Sequence, residues 1–182
     1  MSLTPQEMKL RTKGIFHLSL TPFDCEGNLD VPALKESIRM VTQNPQLEGE
    51  DVVFIALGTT GEFYAMSEEE NRKVVDIVTQ EVNGKFPVMI GSGRAGTKNT
   101  IDFSRYAQSA GADALLIVPP YYTMPTTDGV IRLFESIAEA VDIGITIYNN
   151  PAASKLWLPV SVIQRLSKVD NIVGLKENTY NP

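Results

Sequence analysis

Short apolar runs rich in valine and isoleucine alternate along this chain with longer segments whose apolar positions recur every three or four residues. The first kind predicts strands over 15–20, 51–57, 88–91, 114–118, 144–148 and 171–176. The second predicts helices over 31–42, 67–82, 97–111, 127–141 and 159–167. Several helix ends carry their own signals. Ser67-Glu68-Glu69-Glu70 reads as a capping box, with Ser67 bonding forward and Glu70 reaching back. Pro159 suits a first turn, and Gly84 suits a helix stop.

Strands that alternate with helices at about thirty residues per unit form repeated βα units on a parallel sheet. Two architectures compete, an open doubly wound sheet and a closed eight-fold barrel. The length of 182 residues favours the open sheet, since a barrel usually takes about 250. The loop chemistry described below favours the barrel. No linker or low-complexity stretch divides the chain, so the expectation is a short N-terminal extension over 1–13 and a single domain over 14–182. The last residue follows Lys176 by only six positions. Six strands of an eight-strand barrel would leave two unpaired edges, so a C-terminally truncated portion of a longer enzyme is expected.

Composition narrows the function classes. Apolar residues make up 43% and charged residues 21%, in the ordinary globular range. No apolar run approaches the length of a membrane-spanning helix. The net charge of −6, without a basic stripe, removes the electrostatic drive for nucleic acid or an anionic membrane. A lone cysteine, Cys25, and an N-terminus without an apolar signal core fit the cytoplasm. The single histidine, His17, is too few for a histidine-based zinc site and reads as a core-edge residue.

In parallel α/β folds the C-terminal strand ends carry the chemistry. Those ends are polar here: Gly58-Thr59-Thr60-Gly61-Glu62, Pro119-Pro120-Tyr121-Tyr122-Thr123, Tyr148-Asn149-Asn150-Pro151 and Gly174-Leu175-Lys176-Glu177-Asn178. Lys176 continues an apolar run, and alternation puts Gly174 beneath it on the same face. A lysine desolvated there would present a free amine able to condense with a ketone. The alternative is a lysine just past its strand that snorkels to water. Tyr148 and Tyr122 are candidate proton carriers that the Thr59 hydroxyl could link, or else amphipathic residues at the core edge. The Gly58–Gly61 turn offers N–H groups and hydroxyls to a carboxylate. Gly91-Ser92-Gly93-Arg94-Ala95-Gly96 looks like a phosphate loop but lacks the lysine that ends one. Cys25 has no histidine neighbour in sequence, and Met124 and Trp157 are expected to shape a pocket wall.

Taken in this order, the four strand-end motifs resemble the dihydrodipicolinate synthase / N-acetylneuraminate lyase family, from about Gly14 to the end of the chain. The resemblance implies a (β/α)8 TIM barrel, of which this chain holds the first six strands. It also implies class I lyase chemistry on a pyruvate-type 2-keto acid, without metal or bound cofactor. Lys176 would form the Schiff base. Tyr148 would shuttle protons, with Thr59 and Tyr122 completing the relay, and Thr59 and Thr60 beside Gly58 would hold the carboxylate. Tyr121 would reach across a dimer interface in a homotetramer. Synthases of the family carry an arginine two residues after the proline of Tyr-Asn-x-Pro, and Ala153 stands there, with Thr123 where an asparagine is common. Lys155 is a candidate replacement cation, or a solvated loop lysine. The expected function is therefore an aldolase or a 2-keto-3-deoxy-sugar-acid dehydratase acting on a 2-keto acid with an aldehyde or sugar acid. The alternatives are 4-hydroxy-tetrahydrodipicolinate synthase, an aromatic ylidene-pyruvate hydratase-aldolase, and an inactive truncated barrel.

Overall fold

In the computed structural model, which describes residues 2–179, all six predicted strands are present: β1 (Ile15–Leu18), β2 (Val52–Ala56), β3 (Val88–Gly91), β4 (Ala114–Ile117), β5 (Gly144–Asn149) and β6 (Ile172–Glu177). They form one sheet in the order of the chain, each strand parallel to the next. This order decides between the two architectures. A doubly wound sheet reverses its order at a switch point, whereas strictly sequential pairing is that of a (β/α) barrel. The sheet is thus the six-stranded part of a TIM-barrel-like fold.

Outside it lie α2 (Val31–Thr42), α3 (Glu68–Val82), α4 (Thr97–Ser109), α5 (Thr127–Ala138) and α7 (Val160–Leu166). Each of these packs against the next around the outside. Their boundaries follow local chemistry. The Ser67–Glu70 capping box is formed in both directions, with Glu70 N–H donating to the Ser67 hydroxyl and the Glu70 carboxylate accepting from Ser67. α3 stops one residue before the predicted glycine, because Asn83 takes the left-handed conformation first. Neighbouring helices are pinned by Arg39–Glu81 and Arg165–Glu135 ion pairs and by the Tyr106 hydroxyl donating to Asp76.

Two helices lie outside the sequence expectations. The first, α1 (Pro5–Arg11), lies within the stretch read as an extension. A Thr4–Glu7 capping box starts it, and Met8, fully buried, packs it onto β5 and β6. The second, α6 (Pro151–Ser154), is a single turn after β5.

Strands β2 to β5 are buried at every residue, which explains their continuous apolar runs. β1 and β6 pair on one side only among the described residues and are more exposed. His17 on β1 is half-buried beside the Phe54 ring, and burial lowers its pKa. Cys25 is exposed. No helix among the described residues is long and apolar enough to cross a membrane.

The glycine-rich stretch after β3 has a packing role. A β-carbon on Gly91 would overlap the Leu57 carbonyl oxygen, and one on Gly93 would sit 2.8 Å from the Val118 carbonyl oxygen. Both glycines let the backbones of adjacent strand ends close on one another. Gly91→Ala is therefore expected to destabilise the fold by about 3 kcal/mol through overpacking against backbone that has no rotamer to change. Urea unfolding followed by circular dichroism measures this, with Gly84→Ala, which has open space around it but a positive φ, as the milder comparison.

Candidate active site

The C-terminal strand ends meet where the sequence places its polar motifs. β5 and β6 run in a register that sets Tyr148 beside Lys176 and Thr146 beside Gly174. The Lys176 ammonium nitrogen lies 3.7 Å from the centroid of the Tyr148 ring. Lys176 is half-buried rather than enclosed, and no carboxylate pairs with it among the described residues. Tyr148 is 7% exposed.

A narrow cleft joins these two residues to Gly58, Thr59, Thr60 and Gly61. The Gly58–Gly61 turn is held by Gly61 N–H donating to the Gly58 carbonyl and Glu62 N–H donating to that of Thr59. The Thr21 hydroxyl donates to the Gly61 carbonyl at 2.7 Å and ties the turn to the segment after β1. Gly61 leaves no room for a side chain, since its β-carbon would lie 3.1 Å from both Leu57 N and the Ser19 carbonyl oxygen. Thr59 borders the cleft shared with Tyr148, but no hydrogen bond joins the two.

The Tyr148 hydroxyl instead accepts from the Asn150 amide at 3.0 Å, which leaves its own proton free to donate. Asn150 in turn accepts from Asn178 at 3.2 Å. Buried Asn149 donates to both oxygens of Glu177, at 3.1 and 2.9 Å, and accepts from Leu158 N–H. This amide network fastens the end of β5 to that of β6 and was not singled out from the sequence. Asn150 stands two residues from Tyr148, the spacing that puts two strand residues on one face, and that was the available signal.

Beneath Lys176, inside the sheet, lies an apolar cavity of about 240 Å³ bordered by Leu18, Ile55, Met89, Leu116, Thr146 and Gly174. The Thr146 hydroxyl is buried there without a hydrogen-bond partner. On the opposite side an outer cavity of about 280 Å³ is lined by Thr59, Phe63, Tyr64, Val118, Tyr121 and Ala153. A smaller cleft lined by Thr59, Phe63, Val118 and Tyr148 lies between this cavity and the lysine cleft.

The other predicted residues divide. Tyr121 packs edge-on against Phe63, with ring centroids 5.8 Å apart. Tyr122 is 84% exposed and borders none of these cavities. Lys155 is exposed, has a left-handed backbone at the end of α6, and also borders none. Met124 and Trp157 are likewise exposed and outside the cavity walls. Arg94, in the glycine-rich stretch, is a structural strut whose side chain is only 10% exposed. It stacks 3.8 Å from the Phe103 centroid, pairs with Glu68 at 3.2 Å and donates to the Gly93 carbonyl. Desolvation lowers its pKa against the pull of Glu68. No group of three or more histidine, cysteine, aspartate or glutamate side chains is arranged to hold a metal among the described residues.

Comparison with known proteins gives a consistent result. The model of the family described as Dihydrodipicolinate synthetase family matches residues 11–181. The 4-hydroxy-tetrahydrodipicolinate synthase of Bradyrhizobium diazoefficiens is 37% identical over 171 residues, which are 94% of this chain and 56% of that protein. The crystal structure of dihydrodipicolinate synthase from Aquifex aeolicus superposes with a TM-score of 0.85 at 33% identity, covering 93% of this chain and 56% of that one. The synthase of Acinetobacter baumannii, solved in complex with pyruvate, gives 0.85 at 31%, with the same coverage of each chain. The chain thus spans about half the length of the curated relatives it matches.

The partnerless Thr146 hydroxyl yields a test of the cavity beneath the lysine. An isosteric Thr146→Val substitution keeps the shape and removes a desolvated polar group, so stability is expected to rise by about 1 kcal/mol. A thermal melt measures it, and a fall in melting temperature would mean that the hydroxyl has a partner in solution, such as a bound water.

Proposed function

The chain belongs to the dihydrodipicolinate synthetase family, and from that premise we propose that it carries the keto-acid half-site of a class I lyase, with Lys176 as the Schiff-base residue. The observation that carries the reading is the Lys176 nitrogen lying over the Tyr148 ring beside the Gly58–Gly61 turn. In this reading the Lys176 amine adds to the ketone carbon of a pyruvate-type acid, and loss of water gives an iminium. The iminium withdraws electrons from the adjacent carbon, so a proton leaves there and an enamine forms. Tyr148, its oxygen held by Asn150, passes protons to and from the reacting centre. Thr59 and Thr60, with the N–H groups of their turn, bind the acid's carboxylate.

Two readings of the second substrate differ in their support. The names of the relatives, at 37–40% identity, favour 4-hydroxy-tetrahydrodipicolinate synthase, in which the enamine condenses with an amino-acid semialdehyde. Ala153 in the outer cavity wall favours the aldolase or sugar-acid dehydratase reading instead, because no cation stands there for a second carboxylate. Assembly belongs to the same proposal. Tyr121 is held against Phe63 within its own subunit, so the exposed Tyr122 is the phenol free to complete a neighbouring subunit's relay in a homo-oligomer.

Trapping tests the common core of both readings. The full-length protein incubated with pyruvate and borohydride is expected to gain one reduced pyruvyl adduct, mapped by peptide mass to Lys176. Lys176→Ala should abolish it. Tyr148→Phe should still form adduct while turnover falls by about 10²–10⁴-fold, the usual worth of a positioned proton carrier. A folded protein with no adduct, or an adduct at another lysine, would overturn the assignment.

A further inference from the structure

We propose that Asn150 is the positioning residue of the proton shuttle: its amide donates to the Tyr148 oxygen and so turns the phenol's own proton toward the lysine cleft. The inference rests on the reading of Tyr148 as a proton carrier, and it gives Asn150 the part that the Thr59 hydroxyl was expected to play.

The chain leaves Asn150 little freedom. Pro151 follows it and biases it away from helical backbone, and it stands at φ −133° and ψ 84°. Its backbone carbonyl is held by α6, accepting from Ala153 N–H at 3.0 Å, Ser154 N–H at 2.9 Å and the Ser154 hydroxyl at 3.0 Å. An asparagine ahead of a helix ordinarily uses its side chain to accept from the first free N–H groups. This one makes no such bond. Only 4% exposed, its side chain turns to Tyr148 instead.

The neighbours set the direction of that bond. The Asn178 amide donates to the Asn150 side-chain oxygen at 3.2 Å, which leaves the NH₂ end of Asn150 for Tyr148. A hydroxyl rotates to suit its partners, so a donor on one side of the phenol oxygen sends the phenol proton to the other. No other side chain among the described residues bonds to the Tyr148 oxygen. Asn149, one residue earlier and on the opposite face, is committed to Glu177. Of the two adjacent amides, one therefore ties the strands and the other holds the phenol.

The same bond favours the proton transfer. When Tyr148 gives its proton to the enamine carbon, the lysine nitrogen becomes part of an iminium and the phenol becomes a phenolate. The Asn150 N–H then meets an anion, to which a hydrogen bond is stronger than to a neutral oxygen. The reverse step returns a proton from the methyl carbon to the phenolate.

Asn150→Asp tests this, because it keeps the size of the side chain and the bond from Asn178 but puts a carboxylate where the donor stood. The carboxylate draws the phenol proton to itself and repels the phenolate. In heavy water the full-length variant is expected to exchange the methyl protons of pyruvate about 10²-fold more slowly than wild type, while borohydride still traps the adduct on Lys176. The ratio of variant to wild-type exchange should climb as the pH is lowered, since a protonated carboxyl donates to the phenol oxygen again. A purely structural defect leaves that ratio flat. Asn150→Ala removes the donor without adding charge and stands in where the aspartate variant fails to fold; it should slow exchange about tenfold. A folded variant that exchanges as fast as wild type, or a ratio that stays flat with pH, overturns the proposal. The substrate-free readout is the carbon-13 resonance of the Tyr148 Cζ, assigned by its loss in Tyr148→Phe, which should move in Asn150→Asp. Where wild type traps no pyruvate, the Schiff-base reading fails and this resonance decides: a shift supports the hold of Asn150 on the phenol, and an unmoved resonance overturns it.

Discussion

One irregularity in strand pairing determines which residue of β5 stands beside Lys176. β5 and β6 begin in register with Ile145 opposite Ile172, but the next pair is Thr146 with Gly174, so Val173 is an extra residue on β6. Without this bulge, Lys176 would stand opposite Asn149 and share its face. With it, Lys176 stands opposite Tyr148. A one-residue slip exchanges the two faces of a strand, and a bulge applies that slip at a chosen point. Gly144 accommodates the displaced residue, since a β-carbon there would lie 2.9 Å from a Val173 methyl. α1 covers the same corner through Met8. The lysine and the tyrosine thus meet because the strand below them is irregular.

That dependence explains the amide network at the top of the same pair. A bulge weakens the ladder locally, and backbone pairing resumes above it from Thr146–Gly174 to Asn149–Glu177. Asn149 gripping Glu177 and Asn150 gripping both Tyr148 and Asn178 reinforce that register with side chains. Each of these buried amides uses both its donor and its acceptor, in keeping with the high cost of orphaned polar groups away from water. The network also orients the Tyr148 phenol, so one set of bonds holds both the strand ends and the ring's hydroxyl.

Much of this fold is legible from the chain, for reasons that are local. Strands buried on both faces read as apolar runs, and capping boxes state where helices start. The helix α1 carried the same Thr4–Glu7 signal but only one core residue, Met8, so a seven-residue element showed no periodicity to read. The choice between open sheet and barrel had no local signature, because strand order is a property of the whole sheet. At the candidate site, the strand-end motifs pointed to Lys176, Tyr148 and the Gly58–Gly61 turn, which the fold brings around one cleft. Orientation was not legible: adjacent Tyr121 and Tyr122 look alike in sequence, yet one is held by Phe63 and the other faces solvent. Phe63, Tyr64 and Val118 lacked a motif because an apolar wall uses the same residue types as a core.

The two sides of the lysine cleft then differ by design of their walls. Toward the Gly58–Gly61 turn the groups are hydroxyls and backbone N–H, suited to hold a carboxylate in place. Toward the outer cavity they are three rings, a valine and an alanine, which offer contact area and no charge. Arg94 shows how costly the opposite choice would be. Buried under Phe63, its guanidinium is accompanied by a stacked ring, a carboxylate and a backbone carbonyl, and one nitrogen is still without a partner. The fold thus sets a hydroxyl-bearing turn beside Lys176 and an apolar, ring-lined wall beyond it.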